Sequence, residues 1–324
     1  MLGSKETIQN KTTKRSNATL RGNINYQVHQ VFSTIIAFGS SKHEAKAEAR
    51  SNGAKTWHDI GKNIAIYSYK TADQYRDIAK NLLSYTKVEF GVKDIEKLTS
   101  EHIQSYLETK IADGVKYSTF QKYAAALEKL EVALNAYAQS HNTDRTYSFD
   151  LSSVREQAQE VLERSQATRD YENPKALINS IQNPEYKIIA QAQYQGGFRI
   201  SELNYVSKKN FLGDNKFLVI SGKGGKNREV PLPKETYQAL KSLLEKADTD
   251  GKYKFNMDKY RAALKEAAIR SNQRYTGSHG LRWNFAQVTF AQLRADGKGY
   301  QQALQEVSNL LGHERPDITE HYLR

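Results

Sequence analysis

The sequence predicts a mainly α-helical protein in two domains, with one small β-sheet in the second domain. Three observations carry that expectation. Apolar residues recur every three to four positions over most of the chain. Only two short stretches, NKFLVI and REVPLP, alternate like strands, and the glycine-rich SGKGGKN joins them as a tight turn. The helical periodicity lapses over HNTDRTYSFDLSS, a polar run rich in turn formers, where a domain linker is expected.

Taken in order, residues 1–58 are expected to form a basic N-terminal arm and an extra helical element. The first twenty or so residues read as flexible, with a solubilising tail as the competing reading. Val28, Val31, Phe32, Ile35 and Ile36 then fall at helical spacing. Residues 59–145 read as a helical bundle. Thr71 is expected to cap a helix carrying Tyr75, Ile78, Leu82 and Leu83. Thr99 or Ser100 would cap a second, with Glu101 in the first turn, where negative charge suits the helix dipole. Ser118 or Thr119 would start a third, striped by Tyr123, Leu127, Leu130 and Leu134. Residues 146–172 are expected to be a linker with one polar helix, SSVREQAQEVLER. Residues 173–324 form the second domain: helical up to Gly196–Gly197, then the hairpin, then helices again to the end.

Composition narrows the function. The chain has 324 residues, enough for two domains. Its formal charge of +12 favours a polyanionic partner, with nucleic acid first and an anionic membrane surface as the competitor. No apolar run is long enough to cross a bilayer, and the basic N-terminus lacks the apolar stretch of a signal peptide. With no cysteine, disulfides, zinc–cysteine sites and thiol nucleophiles are excluded. Residues 173–324 hold the largest share of the positive excess, whereas the two signs cancel over residues 59–140.

Three constellations in the second domain could carry chemistry. In GGFRISEL, Arg199 stands at the start of a helix with Glu202 three residues on, so the two can pair; an ordinary salt bridge is the competing reading. In SGKGGKNR, Lys223 projects from the hairpin turn, with Lys226 and Arg228 close behind, which suits contact with DNA; a plain basic loop is the alternative. The turn lacks the GxxxxGK[ST] pattern of a nucleotide-binding loop. His279 and Arg282 lie at i and i+3, aiming two positive or proton-carrying groups at one spot, an arrangement suited to an anion such as a phosphodiester. Trp283 beside them packs over the site or belongs to the core, with core the favoured reading. Finally, Gly312 lets a helix stop, His313 follows, and Pro316 starts a short helix that leads to Tyr322. The break allows His313 and Tyr322 to reach one phosphate. A His313–His321 metal pair lacks a third ligand.

Together these motifs resemble the tyrosine site-specific recombinase and phage integrase family. GGFRISEL resembles its first-arginine motif, SGKGGKNREVPL its lysine hairpin, GSHGLRWNFA its HxxR motif and LLGHERPDITEHY its closing motif, in the family's order. The resemblance implies Arg199, Lys223, His279, Arg282, His313 and Tyr322 as catalytic residues, Glu202 as support, and Lys226 and Arg228 on DNA. It implies a two-domain DNA clamp, with a helical core-binding domain beside the catalytic domain. The implied reaction is strand cleavage and rejoining through a 3′-phosphotyrosyl intermediate, with no metal and no cofactor, in integration, excision or transposition of a mobile element. The implied partners are double-stranded DNA bearing specific sites, a homotetramer on paired sites, and accessory DNA-bending proteins, in the bacterial cytoplasm. A type IB topoisomerase and a non-catalytic DNA-binding protein are the alternatives. Two departures stand out. The interval from Arg282 to His313 is longer than the family pattern through ADGKGYQQAL, which implies a loop insertion. The chain also continues only two residues past Tyr322, where relatives carry a segment that docks on a neighbour, which implies a shortened chain or a different assembly.

Overall fold

The computed structural model describes residues 20–164, 167–220, 222, 227–313 and 315–324. The chain divides into two compact units, with the boundary between residues 165 and 166. It is mostly helical, with one two-stranded antiparallel sheet among the described residues.

The first unit contains α1 (Ile24–Ser33), α2 (Lys42–Ser51), α3 (Trp57–Asn63), α4 (Tyr69–Glu89), α5 (Ser100–Ala112), α6 (Tyr117–Ser140) and α7 (Ser152–Val161). Its core joins Val28, Val31 and Phe32 of α1 to Leu82 and Leu83 of α4 and to Leu127, Leu130 and Leu134 of α6. The N-terminal helix is therefore part of the bundle. It is also shorter than its periodicity suggests: α1 stops at Ser33, and Ile36 pairs with Ile66 in a single parallel bridge. Ser68, not Thr71, caps α4, its hydroxyl accepting from the Thr71 amide at 3.2 Å. Thr99 caps α5, and His102 occupies the position where an acid would close a capping box, accepting from the Thr99 amide at 3.1 Å.

The expected linker, residues 146–172, is corrected by the packing. Tyr147, Phe149 and Leu151 are buried in the first unit, α7 adds Val154 and Ala158, and Leu162 just past its end joins the same core. The helix looked polar because its buried stripe is narrow, two residues wide within the helix itself.

The second unit opens with α8 (Pro174–Asn179) and α9 (Pro184–Gly196). Asn173 and Asn183 cap them, and each has proline at its first position. Strands β1 (Lys216–Val219) and β2 (Arg228–Pro231) pair with Phe217 opposite Val230. Both of these side chains are fully buried, as the alternation predicts. Helices α10 (Lys234–Ser242), α11 (Met257–Arg270), α12 (His279–Ala295), α13 (Tyr300–Leu311) and α14 (Pro316–Glu320) complete the unit. Between Arg282 and His313 the chain is almost wholly helical, and residues 296–299 connect α12 to α13.

Candidate active site

The site is built where the ends of α9 and α13 meet the first turns of α12. Gly197 ends α9 in the left-handed conformation, with φ of 62°. A Cβ there would lie 2.4 Å from the Phe285 ring, so the position needs glycine for both backbone and space. Gly312 ends α13 in the same way, with φ of 64°. These two reversals bring Arg199 and His313 to one place.

Arg199 begins a 3-10 helix at Ile200–Leu203. Glu202 accepts from its amide and from Nη1, each at 2.8 Å. Arg228 then closes on the same carboxylate, Nη1 at 2.9 Å and Nη2 at 2.6 Å, while its Nε donates to the Leu310 carbonyl at 2.9 Å. Burial alone would raise the Glu202 carboxyl; hydrogen bonds and charge from Arg228, and then from Arg199, outweigh it and bring it down to about 2. Arg228, expected on DNA, supports Glu202 from inside the site. All three of its nitrogens are engaged, and only 9% of its side chain is exposed. The reason is its place at the start of β2, beside the end of α13.

Arg282 is fully buried. Nη1 donates to the Gly197 carbonyl, and Nη2 donates to the Leu311 carbonyl at 2.5 Å and to His313 Nε2 at 3.1 Å. Both carbonyls belong to helix C-termini, whose partial negative charge attracts a guanidinium. Its buried Nε has no hydrogen-bond partner among the described residues. Burial first, then repulsion from Arg199, lowers this arginine to about 9, so it remains a cation at neutral pH.

His313 faces Arg282 through Nε2, 3.1 Å from Nη2. A guanidinium can only donate, so Nε2 facing Arg282 must carry the lone pair. The proton of a neutral ring then sits on Nδ1, which is 2.8 Å from Oγ1 of the fully buried Thr319. Burial and then the surrounding cations push His313 down to about 3, so the ring is neutral.

Tyr322 follows α14 and folds back toward His313, their ring centroids 5.1 Å apart. Its phenol oxygen lies 2.7 Å from Nε2 of His279, the first residue of α12. Trp283, expected as core, is buried, but its ring stacks on Tyr322 at 5.0 Å and 24°. Thr319 bears no sequence signal for its role and meets His313 only through packing, whereas Trp283 takes the less favoured of its two readings and packs over the site.

Beside His313 lies a pocket of about 280 Å³, lined by Arg199, Gly222, Asn227, Arg228, Asn309, Gly312 and His313. Lys223 and Lys226 lie outside the described residues; Gly222 and Asn227, which flank their turn, line this pocket. Two guanidinium groups, Arg199 and Arg228, meet the single carboxylate of Glu202, and both line this space, which leaves it net positive. Such a pocket suits a phosphate.

The family model described as the phage integrase family matches residues 160–324, the stretch that holds every residue of the site. Among curated relatives, the chain is 24% identical over 245 residues to the tyrosine recombinase XerC of Corynebacterium glutamicum, covering 71% of this chain and 75% of that one. It is 23% identical over 272 residues to XerC of Xanthomonas campestris pv. campestris, covering 79% and 78%. Among solved structures it resembles the XerH site-specific recombinase bound to palindromic difH substrate, with a TM-score of 0.62, 15% identity and 94% of both chains covered. It also resembles the Tn1549 transposon integrase in complex with circular intermediate DNA, with a TM-score of 0.54, 15% identity, and 88% and 96% covered. At these identities the structural likeness speaks for the fold.

Proposed function

The chain belongs to the phage integrase family, as a tyrosine recombinase that cleaves and rejoins DNA at specific sites, and we propose that Tyr322 forms the covalent link to the strand. The observation that carries this reading is the 2.7 Å contact between the Tyr322 oxygen and His279 Nε2, next to a cationic pocket. A free phenol is a weak nucleophile at neutral pH, and an adjacent proton acceptor makes it competent.

The steps are as follows. The scissile phosphate enters the pocket, and Arg199 holds a non-bridging oxygen with the donors that Glu202 leaves open. Tyr322 attacks phosphorus, its proton passing to His279 Nε2. The bond from phosphorus to the 5′ oxygen breaks, and Lys223 protonates that oxygen. The products are a 3′-phosphotyrosyl ester and a free 5′-hydroxyl. Glu202 and Arg228 keep Arg199 in place. Arg282 works from beneath, tying the ends of α9 and α13 together and holding His313. The ester conserves the phosphodiester bond energy, so rejoining uses no nucleotide and no metal. Attack by a hydroxyl from a second duplex exchanges strands.

The partner is double-stranded DNA, with affinity that weakens as salt rises. The first unit is proposed as the core-binding domain and the second as the catalytic domain, both contacting the duplex as a clamp. Assembly as a homotetramer on paired sites, with DNA-bending proteins as accessories, completes the proposal for a mobile-element integrase.

The test uses duplexes enriched by binding to the chain from a random-sequence library, then nicked near the cleavage position to trap the intermediate. A denaturing gel should show a covalent protein–DNA band that Tyr322→Phe abolishes. Binding without any such band would favour a non-catalytic DNA-binding protein. Relaxation of supercoiled DNA without paired sites would favour a topoisomerase.

A further inference from the structure

We propose that Trp283 is a positioning residue for the nucleophile: it holds the Tyr322 ring by stacking, so that the phenol oxygen stays on His279. The inference rests on Tyr322 being the nucleophile.

Helix α12 presents three groups to the site from its first two turns. His279 meets the phenol oxygen, Arg282 holds the helix ends, and Trp283 lies against the ring face. The two rings are nearly parallel, 24° apart with centroids at 5.0 Å. Both are nearly closed to solvent, Trp283 at 3% and Tyr322 at 8% exposure. The indole is itself held, because the His321 ring meets it edge-on at 5.2 Å and 74°.

The backbone alone restrains Tyr322 weakly. It lies beyond α14, a helix of five residues, too short to be stable by itself. Its amide donates to the Thr319 carbonyl at 2.8 Å, which orients the main chain but not the ring. Rotation about the two side-chain torsions would carry the oxygen away from His279. A flat partner restricts that rotation, whereas an aliphatic side chain of similar volume fills the space without fixing the ring plane. In-line attack requires the oxygen to be aimed, so this restriction acts on the chemical step.

The test compares Trp283→Phe and Trp283→Leu with the unmodified full chain on the nicked duplexes, scaling single-turnover rates to the folded fraction. Trp283→Leu should cut the rate about ten- to a hundredfold while DNA affinity stays within about twofold, and Trp283→Phe should restore most of the rate. A second measurement does not depend on the leucine variant folding. The chain has two tryptophans, so Trp57→Phe leaves Trp283 as the only indole. Its emission should change with the rate constant of adduct formation, and that step should vanish when Tyr322→Phe is added. Trp283→Leu cleaving at the full rate per folded molecule would overturn the inference, and so would an emission step that persists without the phenol. Absence of a Tyr322-dependent adduct in the unmodified chain would instead remove the nucleophile assignment, and this inference with it.

Discussion

Arg228 grips Glu202 through two parallel bonds, at 2.9 and 2.6 Å, and only 9% and 4% of the two side chains meet solvent. The same carboxylate orients Arg199, so one acid carries two cations. Glu202→Gln keeps the shape but removes the charge and turns an amide donor toward a guanidinium. It should destabilise the chain by about 3–5 kcal/mol, as for other buried pairs that lose one partner. Urea unfolding would measure that loss. Cleavage per folded molecule should fall as well, because Arg199 loses its orientation.

Acid should weaken the second unit in two stages. His313 is driven from 6.5 down to about 3 by burial and neighbouring cations, so below about pH 6.5 the unfolded chain takes up a proton that the folded chain refuses. Stability is full above that pH and declines as pH falls toward 3. Glu202 adds a second loss, because its carboxyl is held at about 2 against 4.5 and its contribution disappears as pH falls through that window. His313→Gln should flatten the upper stage and leave the lower one. Unfolding free energies measured at a series of pH values would separate the two.

The Tyr322 oxygen lies 2.7 Å from His279 Nε2, the group proposed to take its proton. His279→Gln removes its basicity and should slow single-turnover cleavage about 10²- to 10⁴-fold. DNA affinity, measured by gel shift, should change little, because the histidine acts on the phenol. Equal losses in affinity and rate would assign His279 to binding.

Lys223 is proposed to protonate the leaving oxygen. Lys223→Ala should lose about 10²- to 10⁴-fold in cleavage. A duplex with sulfur in place of the bridging 5′ oxygen should restore most of that rate, since a thiolate leaves without a proton. No rescue by sulfur would mean that the lysine serves the phosphate and not the leaving group.

Gly197→Ala tests the floor of the site. Its φ of 62° strains an alanine, and the added methyl meets Phe285 at 2.4 Å. A loss of about 1–3 kcal/mol in unfolding free energy is expected. Because the Gly197 carbonyl holds Arg282, cleavage should fall further than stability alone explains.

Local pattern in the sequence determined much of this protein. Spacing of Leu127, Leu130 and Leu134 specified a buried helix face, alternation around Phe217 and Val230 specified the hairpin, and Gly312 with Pro316 specified the break that returns Tyr322 to His313. The pairing of Arg199 with Glu202 was equally legible, being three residues apart. These features depend on backbone preference and on burial along one element, which neighbouring residues decide. Tertiary structure alone decided which partners distant side chains meet. Arg228 finds Glu202 and Leu310, Arg282 finds Gly197 and Leu311, and Trp283 finds Tyr322. A charged or aromatic side chain can be satisfied by many groups. The choice among them is made by which helix ends and ring faces the packed core brings within reach, and no local spacing encodes that.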